Sequence, residues 1–196
     1  WKALHYMAKK FYAPLAVSMR RDGEILKAYL ENETDHAQEW TVTVSVKNMK
    51  CEVLDSVQAT GTTASFRSEE LIQIDVSKWK KQEDHVFVET VLKLSDGTVL
   101  TDTETLVPYK YVGLETPAIS TTVEEQEDAY LIKVKTDCFV PFLSLDFKDA
   151  DAILEDNFFH ITDTEEKIIR VSKKDIRNGS FKNAQDMKNR LEILTL

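Results

Sequence analysis
Along most of this chain apolar and polar side chains alternate. The cleanest stretch is EWTVTVSVKN, where Trp40, Val42, Val44 and Val46 share one face and Thr41, Thr43, Ser45 and Lys47 the other. A period of two marks a strand with one buried face. LAVSM (15–19), EILKAYLEN (24–32), CEVLDSVQAT (51–60), the run ending at Val76, HVFVETVLKL (85–94) and TVLTDTETLV (98–107) continue the series. Arg21-Asp22-Gly23 and Asp96-Gly97 are turn signals with glycine where positive φ is needed. No helix of crossover length separates the strands, so a parallel α/β sheet is excluded. About seven short strands over about 95 residues predict an immunoglobulin-like sandwich.

The opening breaks the pattern. In WKALHYMAKKFYAPL, Trp1, Leu4, Ala8 and Phe11 fall at helical spacing. Pro14 then predicts the handover to strand. A second break lies between Pro108 and Pro117, where two prolines bracket Gly113 and the alternation lapses. Beyond it AISTTVEEQ, AYLIKVKT, FVPFLSLDF, FFHIT and KIIRVSKK form a second strand series, closed by LEILTL. FKNAQDMKNRL reads as a short helix through Phe181, Ala184, Met187 and Leu191. The expected fold class is all-β: two immunoglobulin-like β-sandwiches in tandem, preceded by a short N-terminal helix. The expected boundaries are helix 1–13, first sandwich 14–108, linker 109–117 and a second, smaller sandwich 118–196.

Charge narrows the partners. With 34 acidic and 25 basic residues the net charge is −9, a surface that repels phosphate backbones. The basic groups at Lys78, Lys80 and Lys81, and at Lys173, Lys174 and Arg177, are short and flanked by acids. No nucleic acid is expected as a partner. No apolar run is long enough to cross a membrane, and no membrane partner is expected. Cys51 and Cys138 fall in different domains and read as small buried hydrophobes of a reducing compartment. The expected location is cytoplasmic, with secreted or lysosomal as the alternative.

The search for chemistry returns little. His5, His36, His85 and His160 are scattered without metal-ligand spacing. Five glycines leave little material for a phosphate-cradling loop, and no nucleophile-elbow or dinucleotide fingerprint occurs. Asp146, Asp149, Asp151, Glu155 and Asp156 are the densest acids, but they lack the ligand spacing and glycine of a calcium loop. Trp40 sits on the valine face and reads as a core anchor, while Trp79 reads as a lid on a core edge. Phe158 and Phe159 point to opposite faces if extended. Asn32-Glu33-Thr34 and Asn178-Gly179-Ser180 fit the glycosylation pattern by composition alone. No catalytic, cofactor-binding or metal-binding residue is nominated, and no cofactor is expected.

Two stretches resemble a known family. WKALHYMAKKFYAPLAVS is similar to the segment where bacterial β-mannosidases of glycoside hydrolase family 2 leave their catalytic (β/α)₈ barrel. FLSLDFKDADAILEDNFF (142–159) is similar to the terminal immunoglobulin-like domain of the same enzymes. The chain departs at Ile161-Thr162-Asp163-Thr164-Glu165, where family members often carry a proline-glycine turn. The resemblance implies a parent enzyme that removes terminal non-reducing β-D-mannose through two barrel glutamates, as retaining glycosidases do. Both glutamates would lie upstream of Trp1, so this chain alone is expected to be inactive. Its expected role is structural, with its own barrel as partner and the mannoside substrate bound by that barrel. The alternative is an independent carbohydrate-binding or adhesion-type module. On the family reading, the stripe of Trp1, Leu4, Ala8 and Phe11 is the face of a barrel helix, and it is expected to be partly exposed here.

Overall fold
The computed structural model describes residues 2–196. They form two compact units, Lys9–Leu114 and residues 2–8 together with Glu115–Leu196. The leading helix α1 (Ala3–Phe11) thus begins in one unit and ends in the other.

Among the described residues, the unit Lys9–Leu114 holds β1 (Leu15–Asp22), β2 (Ile25–Asn32), β3 (Gln38–Asn48), β4 (Val53–Thr63), β5 (Arg67–Asp75), β6 (Val86–Leu94) and β7 (Val99–Thr105). They form two antiparallel sheets, ordered β1-β2-β5 and β4-β3-β6-β7. The β1–β2 hairpin turns at Gly23 with φ +62°, and β6–β7 turns at Gly97 with φ +90°, both left-handed and open to glycine. The alternation decides which side chains meet. Leu26, Leu30, Val42, Val44, Val88 and Leu92 come from both sheets into one core, each buried side chain contributing about 1.5–3 kcal/mol. Trp40 on β3 closes one end, its Nε1–H donating to Thr63 Oγ1 at 3.0 Å.

Two polar groups, one partly and one fully buried, complete this unit. Asp102 Oδ2 accepts the Met19 N–H at 2.7 Å, so a β7 carboxylate satisfies a β1 amide facing away from the β2 ladder. Asn32 donates through Nδ2 to the carbonyls of His36 and Ala64 and accepts from Thr34 at Oδ1, tying two loops together.

The other unit holds β8 (Ser120–Glu125), β9 (Ala129–Lys135), β10 (Val140–Phe147), β11 (Asp151–Ala152), β12 (Phe159–Ile161), β13 (Lys167–Ser172), β14 (Ile176–Asn178), α2 (Ala184–Arg190) and β15 (Leu191–Leu194). Its sheets run β13-β9-β8 and β12-β10-β15, with a β11-β14 ribbon beside them. Ile132, Leu143, Phe159, Ile169, Val171 and Met187 fill the core. Helix α2 starts where Asn183 Oδ1 accepts the Asp186 N–H, an N-cap, and it turns Met187 fully inward. The β11-β14 ribbon is too short for periodicity to reveal: Arg177-Asn178 lie in β14, and only Gly179, at φ +87°, makes the expected turn. In the departing segment Asp163 Oδ1 caps the Glu165 N–H, so an Asx turn forms without proline or glycine.

Candidate functional site
Most sequence candidates resolve into structure rather than chemistry. Among the described residues no group of three His, Cys, Asp or Glu side chains could hold a metal ion. Three of the acids between Asp146 and Asp156 are engaged locally: Asp146 and Asp156 each cap the next backbone N–H, and Asp151 accepts from Asn178. His36 and His85 sit exposed beside Asp35 and Asp84. His160 lies between the rings of Phe139 and Phe142. Trp79 is partly buried against the first core, with Lys78 Nζ 5.5 Å from its ring. Asn32 is 1% exposed with its amide engaged twice, so the folded chain cannot present it for glycan transfer. Burial pushes the Cys138 thiol up to about 11, with Asp137 adding to the effect.

A groove of about 600 Å³ crosses the outer face of the β4-β3-β6-β7 sheet. Thr41, Thr43, Gln58, Thr60, Thr62 and Lys93 line it. These are outward positions in register, with Thr41 opposite both Thr60 and Lys93. The surface is hydroxyl- and amide-rich, and its one aromatic neighbour, Trp40, has its indole in the core. Such a face offers hydrogen bonds but no ring on which a sugar could stack.

The most specific arrangement involves α1. Leu4 is 74% exposed and Phe11 73% exposed, Ala8 is partly buried, and Trp1 lies outside the described residues. The helix instead buries a different side: Tyr6 is 3% exposed, flanked by the partly buried Ala3 and Met7. The Tyr6 hydroxyl accepts the Leu154 N–H at 3.2 Å, across 148 positions of sequence. Its ring lies 6.0 Å from that of Phe158 at an angle of 48°. Burial raises the phenol above its ordinary pKa, so the hydroxyl stays protonated at neutral pH.

The loop that receives Tyr6 is held rigidly. Buried Asn157 donates through Nδ2 to the Leu145 carbonyl and accepts the Leu145 N–H at Oδ1, both at 2.9 Å. A side-chain amide here imitates a strand partner for β10. Phe158, at φ +56°, turns its side chain toward Tyr6 instead of continuing the strand of Phe159, a conformation rare for an aromatic residue.

Neighbouring amides find acceptors among residues 115–196: Ile153 at Asp175, Glu155 at Arg170, Asn157 at Asp156 and Phe158 at Asn157. Leu154 donates to the helix instead. Sequence reasoning missed Tyr6 because the stripe of larger apolar spacing lay on another side of α1. The available signal was that apolar residues occupy both sides, as they do in a helix packed from more than one direction.

Tyr6 lies in one of the two stretches that carry the family resemblance, and Leu154 and Phe158 lie in the other. Comparison with known proteins agrees with that resemblance. Residues 24–111 match the family model described as a mannosidase Ig/CBM-like domain, and residues 114–196 match the mannosidase Ig-fold domain. Bovine β-mannosidase is 24% identical over 185 residues, covering 83% of this chain. The goat β-mannosidase is 26% identical over 179 residues, with the same coverage. The chain spans 20% of the length of each of these relatives. Among solved structures, β-D-mannosidase from Dictyoglomus thermophilum superposes with a TM-score of 0.80 at 16% identity, covering 97% of this chain and 22% of that one. The exo-chitosanase of Amycolatopsis orientalis gives 0.65 at 14% identity, covering 97% and 26%.

Proposed function
Residues 24–111 and 114–196 are immunoglobulin-like domains of the mannosidase families, and we propose that the chain is the C-terminal accessory region of a β-mannosidase. The parent hydrolyses terminal non-reducing β-D-mannose, and the catalytic groups stand on a barrel outside these residues. The observation that carries this reading is the match of both units, in order, to mannosidase domains of relatives about five times as long. The exposed Leu4 and Phe11 face of α1 is then the side that meets the barrel.

The test compares the purified 196-residue chain with its parent on a chromogenic β-mannoside. No turnover is expected from the chain and saturable turnover from the parent. Hydrolysis by the chain would overturn the accessory role, and a parent inert toward β-mannosides would overturn the substrate. Two cysteines outside any disulfide favour a reducing, cytoplasmic location; recovery of the parent in a secreted or lysosomal fraction would exclude it.

A further inference from the structure
We infer that the Leu154–Phe158 loop is a clamp on helix α1, through which the C-terminal unit holds the helix that leaves the catalytic domain. The inference rests on the accessory-region reading for what lies upstream, and on geometry for the clamp itself. The seat is made for a hydroxyl-bearing ring. One buried backbone N–H, that of Leu154, is satisfied by Tyr6 while its neighbours are satisfied among residues 115–196. Left without that acceptor, a buried N–H is costly. Phe158 is held left-handed by a loop that Asn157 fixes to β10, and this strained turn presents its ring to Tyr6.

Tyr6, the least exposed residue of α1, is therefore committed to the C-terminal unit, while Leu4 and Phe11 are exposed on the other side. A helix gripped on one side and free on the other is a connector. Chain connectivity alone requires no such contact, because residues 9–114 lie between Tyr6 and its seat in sequence. The last immunoglobulin-like unit is accordingly assigned a task beyond covering surface: it returns to the first helix of this region and pins it.

Two variants separate the parts of the contact. Tyr6→Phe removes only the hydroxyl, and Tyr6→Ala removes hydroxyl and ring. In the 196-residue chain, native-state hydrogen exchange of the Leu154 amide is expected to speed up by about tenfold or more in Tyr6→Phe. In Tyr6→Ala the amides of Ala3–Phe11 are expected to lose protection as well. Unchanged helix exchange in Tyr6→Ala overturns the clamp, whatever the parent does.

In the full-length parent, Tyr6→Ala is expected to leave kcat and KM unchanged before heating and to shorten the thermal inactivation half-life by about fivefold. Loss of helix protection in the chain with an unaltered half-life in the parent would overturn the assigned task. A wild-type parent without β-mannosidase activity would instead overturn the accessory-region reading, leaving the exchange result to decide the clamp.

Discussion

At position 61 the strand beside Trp40 has no room for a side chain. A Cβ there would lie 2.6 Å from Trp40 Cζ2 and 2.9 Å from Cη2. The indole cannot swing away without giving up its bond to buried Thr63. Gly61→Ala is therefore expected to destabilise the Lys9–Leu114 unit by about 1–3 kcal/mol, read by urea denaturation followed through tryptophan fluorescence. A shift of the midpoint within error would show that the indole yields freely.

Asp102 makes a different demand. Burial holds its carboxyl above the usual range, against the bonds it accepts from Met19 and Thr103, and Glu31 adds to the rise. Glu104 is raised by burial and by the Asp102 charge. A carboxyl with a raised folded pKa contributes stability that is fully present below its unfolded value, near 4, and is lost as pH rises through the folded value. Asp102→Asn removes that ionisation. Wild type is expected to lose stability relative to this variant as pH rises from about 4 toward 7. A wild type that gains stability relative to the variant over that range would refute the burial argument.

Strands and helices set these residues in place, and they were legible unevenly. β3 declares itself because Trp40, Val42, Val44 and Val46 all face one core. Helix α2 does so through Ala184 and Met187, while Phe181 and Leu191 of the expected stripe fall outside Ala184–Arg190. The β11-β14 ribbon and the Leu154–Phe158 loop stayed hidden, since their backbone groups are satisfied by side chains and single bridges, which leave no period in sequence. Phe158 and Phe159 show the limit: alternation implied two opposed faces, whereas the left-handed turn at Phe158 carries its ring to Tyr6. Asn157 is the residue on which that loop depends. Asn157→Ala is expected to cost about 2–3 kcal/mol, because it strands both the N–H and the carbonyl of buried Leu145. Asn157→Asp, which keeps the acceptor and loses the donor, is expected to fall between the two. Equal stability of Asn157→Ala and wild type, by thermal unfolding, would remove the loop from the list of structural necessities.

For the molecule as a whole, each half was legible because each repeats one rule, alternating strands punctuated by turns. The proposed role in a larger enzyme was legible only through resemblance, since the sequence offers no motif from which a reaction could be read. What no local reading could supply was the long-range pairing of Tyr6 with Leu154, a contact between segments that look unrelated until folded. The two cores, one around Val44 and Leu92, the other around Ile132 and Leu143, share no residue. Stability in a chain so built is a property of each unit. Gly61→Ala is thus expected to raise hydrogen exchange across β2, β3 and β6 while leaving β9 and β13 at wild-type protection. Asn157→Ala is expected to do the reverse, with the amides of Ala3–Ala8 following the C-terminal unit because Tyr6 is seated there. Equal loss of protection in both units from either substitution would mean that they open as one cooperative body, and the separate cores would then not be separate foldons.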